Sequence, residues 1–407
     1  MSMVSAQSLF WIALGALFVP LICRRIHVPS AVGELIYGII FGPHLLGLVG
    51  SGEFIEFMAH LGFAILMFSA GMEIDFRPIR KKGSKLLRNA FIWLALVVGF
   101  AVVAAYMAGL GAWPILAVCS VSIGLASVFL REKELLGSPL GQTILAAGLV
   151  GESASILFLT VLDFHHQFGI SMDFFLAVIQ FTGIFVLAYL LMRVFRFVIW
   201  WYPDKVKPFL EGDDPLELGV RMAVALLFIF VAAAVAFHVE SILGAFIAGA
   251  LFGFIFQERE VVAEKINALG QGFFVPFFFI VVGSHFDPVA SVKGISWQTL
   301  VALIIIAVGS KIVPTALYYI QGLKSREILA AGLLFSAPLT LTVAVAEVGL
   351  RVNAISQSMQ GSLILVAIAL GLAGPYLARI ILPAEEEVMK EPGDGENNSR
   401  PRSGHND

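Results

Sequence analysis

Glu152 lies in the middle of an otherwise uncharged apolar stretch, Leu140 to Leu162. At about 1.5 Å per residue that stretch is long enough to cross a bilayer. A carboxylate near the bilayer centre costs about 2.5–3.5 kcal/mol even on insertion scales, so it faces a partner or a polar pathway. Two readings are open: a protonated glutamate bonded to a neighbouring helix, or a group that exchanges a proton or an ion. Lys311 raises the same question on the stretch Leu300 to Ile320, where it is the one deeply placed basic residue. An ion pair between the two is the economical expectation. The alternative is a lysine bonded to helix carbonyls or snorkelling inward. Gly148 and Ser155 share the helical face of Glu152 and admit a close neighbour. Ser153, next in sequence, adds a hydroxyl. Oxygen ligands of this kind suit a hard monovalent cation, and one carboxylate cannot match the charge of a calcium cage.

Two further apolar stretches carry interruptions at a similar depth. In the first, CSVSIGLAS brings Ser120, Ser122, Gly124 and Ser127 together. In the second, FSAPLTLT places Pro338 between Ser336 and Thr340, with Thr342 following. Proline removes a backbone donor and disfavours helix at Ala337. An unwound helix frees carbonyls and exposes half-helix ends able to coordinate a small cation. The alternative is a proline kink healed by neighbouring side chains.

The elements that must position these residues are membrane spans. Hydrophobic residues make up 59% of the 407, charged residues 14%, and mean hydropathy is +0.91, outside the range of soluble domains. The net charge of −3 gives no footprint for nucleic acid. Cys23 and Cys119 fall in apolar runs without metal spacing and read as small fillers. Apolar runs bounded by charges or turns predict thirteen spans, near 6–23, 29–48, 55–74, 89–110, 113–130, 140–162, 172–195, 217–237, 240–256, 271–286, 297–319, 327–349 and 360–382. Residues 384–407 are acidic, then polar, and are expected to be disordered; no cytosolic ligand-binding domain is read after the membrane part. Lysine and arginine concentrate in alternate loops, which predicts an outer amino terminus and a cytoplasmic tail.

Other ionisable residues carry less weight. Glu34 and Tyr37 could line an inner funnel, while Glu73 and Asp75 sit beside the basic loop 77–88. Glu240 and Glu347 fall near the outer surface, as do His165 and His166, which have only Asp163 close by as a possible third ligand, so metal binding is not expected there. No HExxH, P-loop, GxGxxG or nucleophile-elbow pattern is present, so neither an enzyme nor a cofactor is expected.

A repeat organises the spans. GELIYGIIFG in the second span places Gly33, Gly38 and Gly42 at the spacing of Gly244, Gly249 and Gly253 in GAFIAGALFG of the ninth. The third span ends GMEIDF, with Gly71 and Asp75; the tenth ends GSHFDP, with Gly283 and Asp287. The offset is about 211–212 residues, or seven spans. Seven is odd, so the second copy is inverted. Inverted repeats mark secondary transporters, with the substrate site near midplane at the repeat interface.

The stretches VPSAVGELIYGIIFGPHLLG and LGFAILMFSAGMEIDF, with FFVPFFFIVVGSHFDP and SILGAFIAGALFG, resemble the motifs of monovalent cation:proton antiporters over residues 10–382. The resemblance implies an all-α polytopic fold with two crossing, unwound helices. It implies a homodimer in the bacterial inner membrane, its membrane domain covering residues 1–383. Within that domain it implies an interface bundle (about 6–76 and 217–287), a linker helix (172–195) and a core bundle (89–162 and 297–382). It implies exchange of Na⁺ or K⁺ for protons by alternating access, with the cation at Glu152, Ser122 and Ser153. Lys311 would be the charge partner, and Gly124, Ser336, Pro338 and Thr340 would mark the breaks. Two positions depart from the family pattern. The acidic or polar residue that normally precedes the key carboxylate is Gly151, and Val121 stands where threonine is common. A single carboxylate favours one-for-one, electroneutral exchange. The same departure supports the alternative of an ion or pH sensor that keeps the architecture without turnover.

Overall fold

The computed structural model describes residues 3–382, apart from 27, 51, 73–83, 136–137, 202–216, 238–240, 256–259 and 287–295. The tail 384–407, the loop 77–83, Glu73, Asp75, Glu240 and Asp287 therefore lie outside the described residues. All regular structure in the described residues is helical. The first half holds α1 (Met3–Arg25), α2 (Ser30–Phe41), α3 (Glu53–Met72), α4 (Ser84–Met107), α5 (Ala112–Cys119), α6 (Gly124–Glu132) and α7 (Pro139–Phe168). After α8 (Met172–Trp201) come α9 (Leu218–Ala236), α10 (Ser241–Ile255), α11 (Glu260–Leu269) and α12 (Val275–His285). The chain closes with α13 (Trp297–Thr315), α14 (Ser325–Phe335), α15 (Leu339–Arg351) and α16 (Gln357–Ile381).

Among the described residues ten helical stretches are long and apolar enough to span a membrane; Ser30–Phe41, Ala112–Ser127 and Ser241–Ile255 are shorter apolar helices. Together they account for the thirteen spans read from the sequence. One boundary differs. The tenth begins near Val262 rather than 271, because amphipathic α11 runs through a π-helical turn, Gly270–Phe274, into α12. Charges on α11 end an apolar count without ending the helix: Lys265 reaches Glu217 at 2.7 Å on the exposed face.

The helices pack in two groups. In one, α2 lies on α12 and α3 on both α10 and α12, with α9 against α10 and α1 against α2. In the other, α7 packs on α4, α13 on α4 and α14, and α16 on α14 and α15. Between them, α8 touches α7, α9 and α10.

The glycine repeat explains how the first group interlocks. A Cβ on Gly38 (α2) would collide with the Ile280 carbonyl of α12, and one on Gly249 (α10) with the Phe68 carbonyl of α3. Likewise Gly283 abuts the Leu35 carbonyl, and Gly71 the Phe246 carbonyl. Each contact maps onto its counterpart by a shift of 211 residues on the α2/α10 pair and 212 on the α3/α12 pair. The two halves thus exchange partners across a pseudo-two-fold axis. Gly62 sits against the Phe274 carbonyl. The 212-residue shift carries Gly62 onto Phe274, so this contact maps onto itself and the axis passes through it.

Candidate functional site

In a membrane, backbone groups released by a helix break need protein partners. At the first break the chain leaves α5 at Ser120 in an extended conformation (φ −56°, ψ 150°) and re-enters helix at Gly124. The Ser120 hydroxyl turns back to the Ala117 carbonyl at 2.7 Å. The next donors go to α7: Val121 N–H to Ser155 Oγ at 3.0 Å, and Ile123 N–H to Glu152 Oε2 at 3.1 Å. Ser155 in turn donates to the Gly151 carbonyl at 2.7 Å. Two notches on α7 allow this approach, since Ile123 packs at Gly148 and Val121 at Gly151.

Glu152 is 4% exposed, and the Ser122 hydroxyl donates to its Oε1 at 3.3 Å. Ser122 Oγ also meets Thr340 Oγ1 at 3.4 Å and accepts from the Gly124 N–H at 3.4 Å. Four oxygens from three elements therefore gather: two of a carboxylate and two of hydroxyls. The Ile123 N–H stands at the amino-terminal cap of α6, where unsatisfied donors and the helix dipole favour an anion.

The second break supplies Thr340. Pro338 (φ −80°, ψ 59°) is the centre of an inverse γ-turn closed by Leu339 N–H to the Ala337 carbonyl at 2.9 Å. Ser336 turns its hydroxyl to the Gly332 carbonyl at 2.7 Å, so its hydrogen is spent on the end of α14. From the start of α15, Thr342 donates to the Ala117 carbonyl at 3.3 Å. The two broken helices are thus tied at two points, Ser122 with Thr340 and Ala117 with Thr342.

Lys311 is fully buried and donates to the Val118 carbonyl in the last turn of α5, rather than to Glu152. The helix below it is held by Thr315, which bonds the Lys311 carbonyl and accepts from Trp93 Nε1 at 3.0 Å. The two buried charges therefore serve opposite ends of one interrupted helix. The ammonium meets the carbonyl end of α5, and the carboxylate meets the N–H end of α6. Each matches the local dipole, which is the physical reason that a direct pair is not formed.

Of the expected site residues, the structure brings Glu152, Ser122, Gly124 and Thr340 together. Ser153 is half-buried and takes no part in these hydrogen bonds; one residue along a helix turns the side chain by roughly 100°. Sequence reasoning did not reach the Ile123 N–H or the Val118 carbonyl, because backbone groups leave no residue-type signal. Among the described residues no three His, Cys, Asp or Glu side chains gather as ligands for a metal ion. Asp163 beside His165 is instead buried, with Gln167 donating to it at 2.7 Å.

Comparison with known proteins bears on the same span. The profile of the family described as sodium/hydrogen exchanger, transmembrane, matches residues 13–382. A Bacillus subtilis protein provisionally named a Na⁺/H⁺ antiporter is 29% identical over 95% of this chain, which spans 65% of that protein's length. The Na⁺/H⁺-K⁺ antiporter GerN of Bacillus cereus is 25% identical over 90% of the chain and 93% of its own length. In structure, the sodium proton antiporter MjNhaP1 from Methanocaldococcus jannaschii matches with a TM-score of 0.66 at 14% identity, covering 94% of this chain and 99% of the other. The fold is shared.

Proposed function

The chain belongs to the transmembrane sodium/hydrogen exchanger family, and from that premise we propose that it exchanges Na⁺ or K⁺ for protons across a membrane by alternating access. The observation that carries the reading is the hold on Glu152: a backbone N–H on one oxygen, a hydroxyl on the other, and Thr340 beside that hydroxyl. A carboxylate held in this way can accept a proton or a small hard cation, but not both. For the cation, the Ser122 hydroxyl turns its hydrogen away from Oε1 and offers a lone pair, and Thr340 does the same. For the proton, the carboxyl becomes neutral and the hydroxyls bond each other. Competition for one site then couples the two fluxes.

One carboxylate with one exchangeable charge gives one-for-one, electroneutral exchange. The bond from Lys311 to Val118 supports this stoichiometry, because it gives that ammonium a helix end to neutralise throughout. The packing into two groups supports a core bundle (89–162 and 297–382) moving against an interface bundle (6–76 and 217–287), with 172–195 as linker. The family resemblance supports a homodimer in the bacterial inner membrane. The basic loops support an outer amino terminus and a cytoplasmic tail.

The test is a pH-dye assay in everted vesicles with Na⁺, K⁺ and Li⁺ added separately. Wild type should dissipate a proton gradient on addition of at least one cation, and Glu152→Gln should not. Cation-dependent flux retained by Glu152→Gln would sink the assignment.

A further inference from the structure

At the end of the molecule away from the basic loops, a cavity of about 40 Å³ opens along the seam between the two helix groups. That is room for a few water molecules. Glu56, His60, His285, Glu347 and Arg351 line it. Glu56 and His60 come from α3 and His285 ends α12, all in one group; Glu347 and Arg351 come from α15, in the other. His285 Nε2 lies 2.9 Å from Glu56 Oε1, and both side chains are about one-third exposed. On the far side of the seam, Gln360 Nε2 donates to Oε2 of Glu347 at 3.1 Å, and Glu347 and His285 line the same cavity. On α2 the nearby titratable side chain is Tyr37, whose hydroxyl is committed to the Trp11 carbonyl at 2.9 Å.

The chemistry of imidazole decides what this arrangement can do. A neutral ring has one N–H and can donate to one carboxylate; the imidazolium has two and can donate to both. We infer that His285 is an outer pH-sensitive clamp. When protonated, it donates through Nε2 to Glu56 and through Nδ1 to Glu347, tying the two helix groups together and holding the outer side closed. When neutral, it keeps Glu56 alone and the seam is released. His60 shares the cavity, but its Nδ1 is held by the Glu56 carbonyl one turn back on α3, so it stays within its own group. Arg351 sits one turn beyond Glu347 on α15, on the Glu347 side of the seam. Taking up a proton gives the ring its second N–H, so the clamp engages on acidification of the outer side.

This inference rests on the reading that the two helix groups move relative to one another, and the experiment separates the two. Spin labels at Glu53→Cys and Asn353→Cys, both exposed, report the distance across the outer seam, while Cys23 and Cys119 are buried. Distances are measured by pulsed electron resonance in liposomes, in a Glu152→Gln background so that the transport carboxyl does not titrate. Between pH 8 and pH 5.5 the short-distance population should rise roughly tenfold, the scale of one charge-assisted hydrogen bond at a partly exposed site. His285→Gln and Glu347→Gln should each flatten that rise, and His60→Gln should leave it in place. A rise that survives both His285→Gln and Glu347→Gln, or that is lost only in His60→Gln, overturns the clamp. With Glu152 intact, a distance that responds to Na⁺ or K⁺ but not to pH overturns the clamp and keeps the moving-bundle reading. A distance that responds to neither overturns both.

Discussion

The side chain of Val121 fills the volume that a side chain on Gly151 would need: a Cβ at position 151 would lie 2.7 Å from that of Val121. Two departures from the family pattern thus become one packing arrangement. A branched residue in the break of the first crossing helix seats in a notch on the helix that bears Glu152. That seating also brings the Ile123 N–H to the carboxylate.

Gly151→Ala should therefore destabilise by about 1–3 kcal/mol through overpacking, and Val121→Gly in the same chain, which takes away the Cβ that it strikes, should relieve most of that overpacking. Thermal unfolding of the detergent-solubilised protein measures both. Equal losses in the single and double variants would show that the notch is not what makes Gly151 necessary.

Ser122→Ala removes one of the two hydroxyl oxygens beside Glu152 and should weaken cation binding by about 1 kcal/mol, roughly fivefold in half-saturation. Thr340→Val keeps the shape of the site and should weaken it by a similar or smaller factor. Cation titrations of vesicle flux read both, and unchanged half-saturation in the two variants would remove the hydroxyls from the ligand set.

Lys311→Met keeps an unbranched apolar stem one atom shorter but leaves the Val118 carbonyl at the end of α5 without its donor. The expected cost is about 1–3 kcal/mol, seen as a lower unfolding temperature. Measurable cation-dependent flux should remain, because the exchanged charge sits on Glu152. Complete loss of flux at full stability would instead make Lys311 a carrier of exchanged protons.

The repeat predicts matched damage. Gly38→Ala and Gly249→Ala each drive a methyl group into a carbonyl of the partner half, and the two should lower thermal stability by similar amounts. Gly99→Ala on α4, where a Cβ meets nothing within 4 Å, should be neutral or mildly stabilising. A large difference between the first two would break the pseudo-symmetry.

The sequence carried depth well and azimuth poorly. Span count, the glycine repeat and both breaks were legible, since apolar length, small-residue spacing and proline each leave a residue-type signal. The depth of Glu152 and Lys311 suggested a pair, yet which way each side chain points around its helix depends on neighbours distant in sequence. Lys311 found a carbonyl and Glu152 an N–H, both from the backbone of α5 and α6. Ser153 illustrates the same limit: adjacency in sequence placed it near the carboxylate, and helical rotation took it away. Thr340 was readable because Pro338 marks the break beside it.

The exchange of partners between halves reaches back to biosynthesis. Gly38 and Gly71 are inserted long before the ribosome has made Gly283 and Gly249, their counterparts in the finished protein. Until then α2 and α3 present narrow grooves shaped for helices that do not yet exist, and no local contact can substitute. Neither half is a folding unit by itself. The amino-terminal segment must wait in the membrane, shielded by lipid or by the insertion machinery, and its assembly is completed only when α12 arrives.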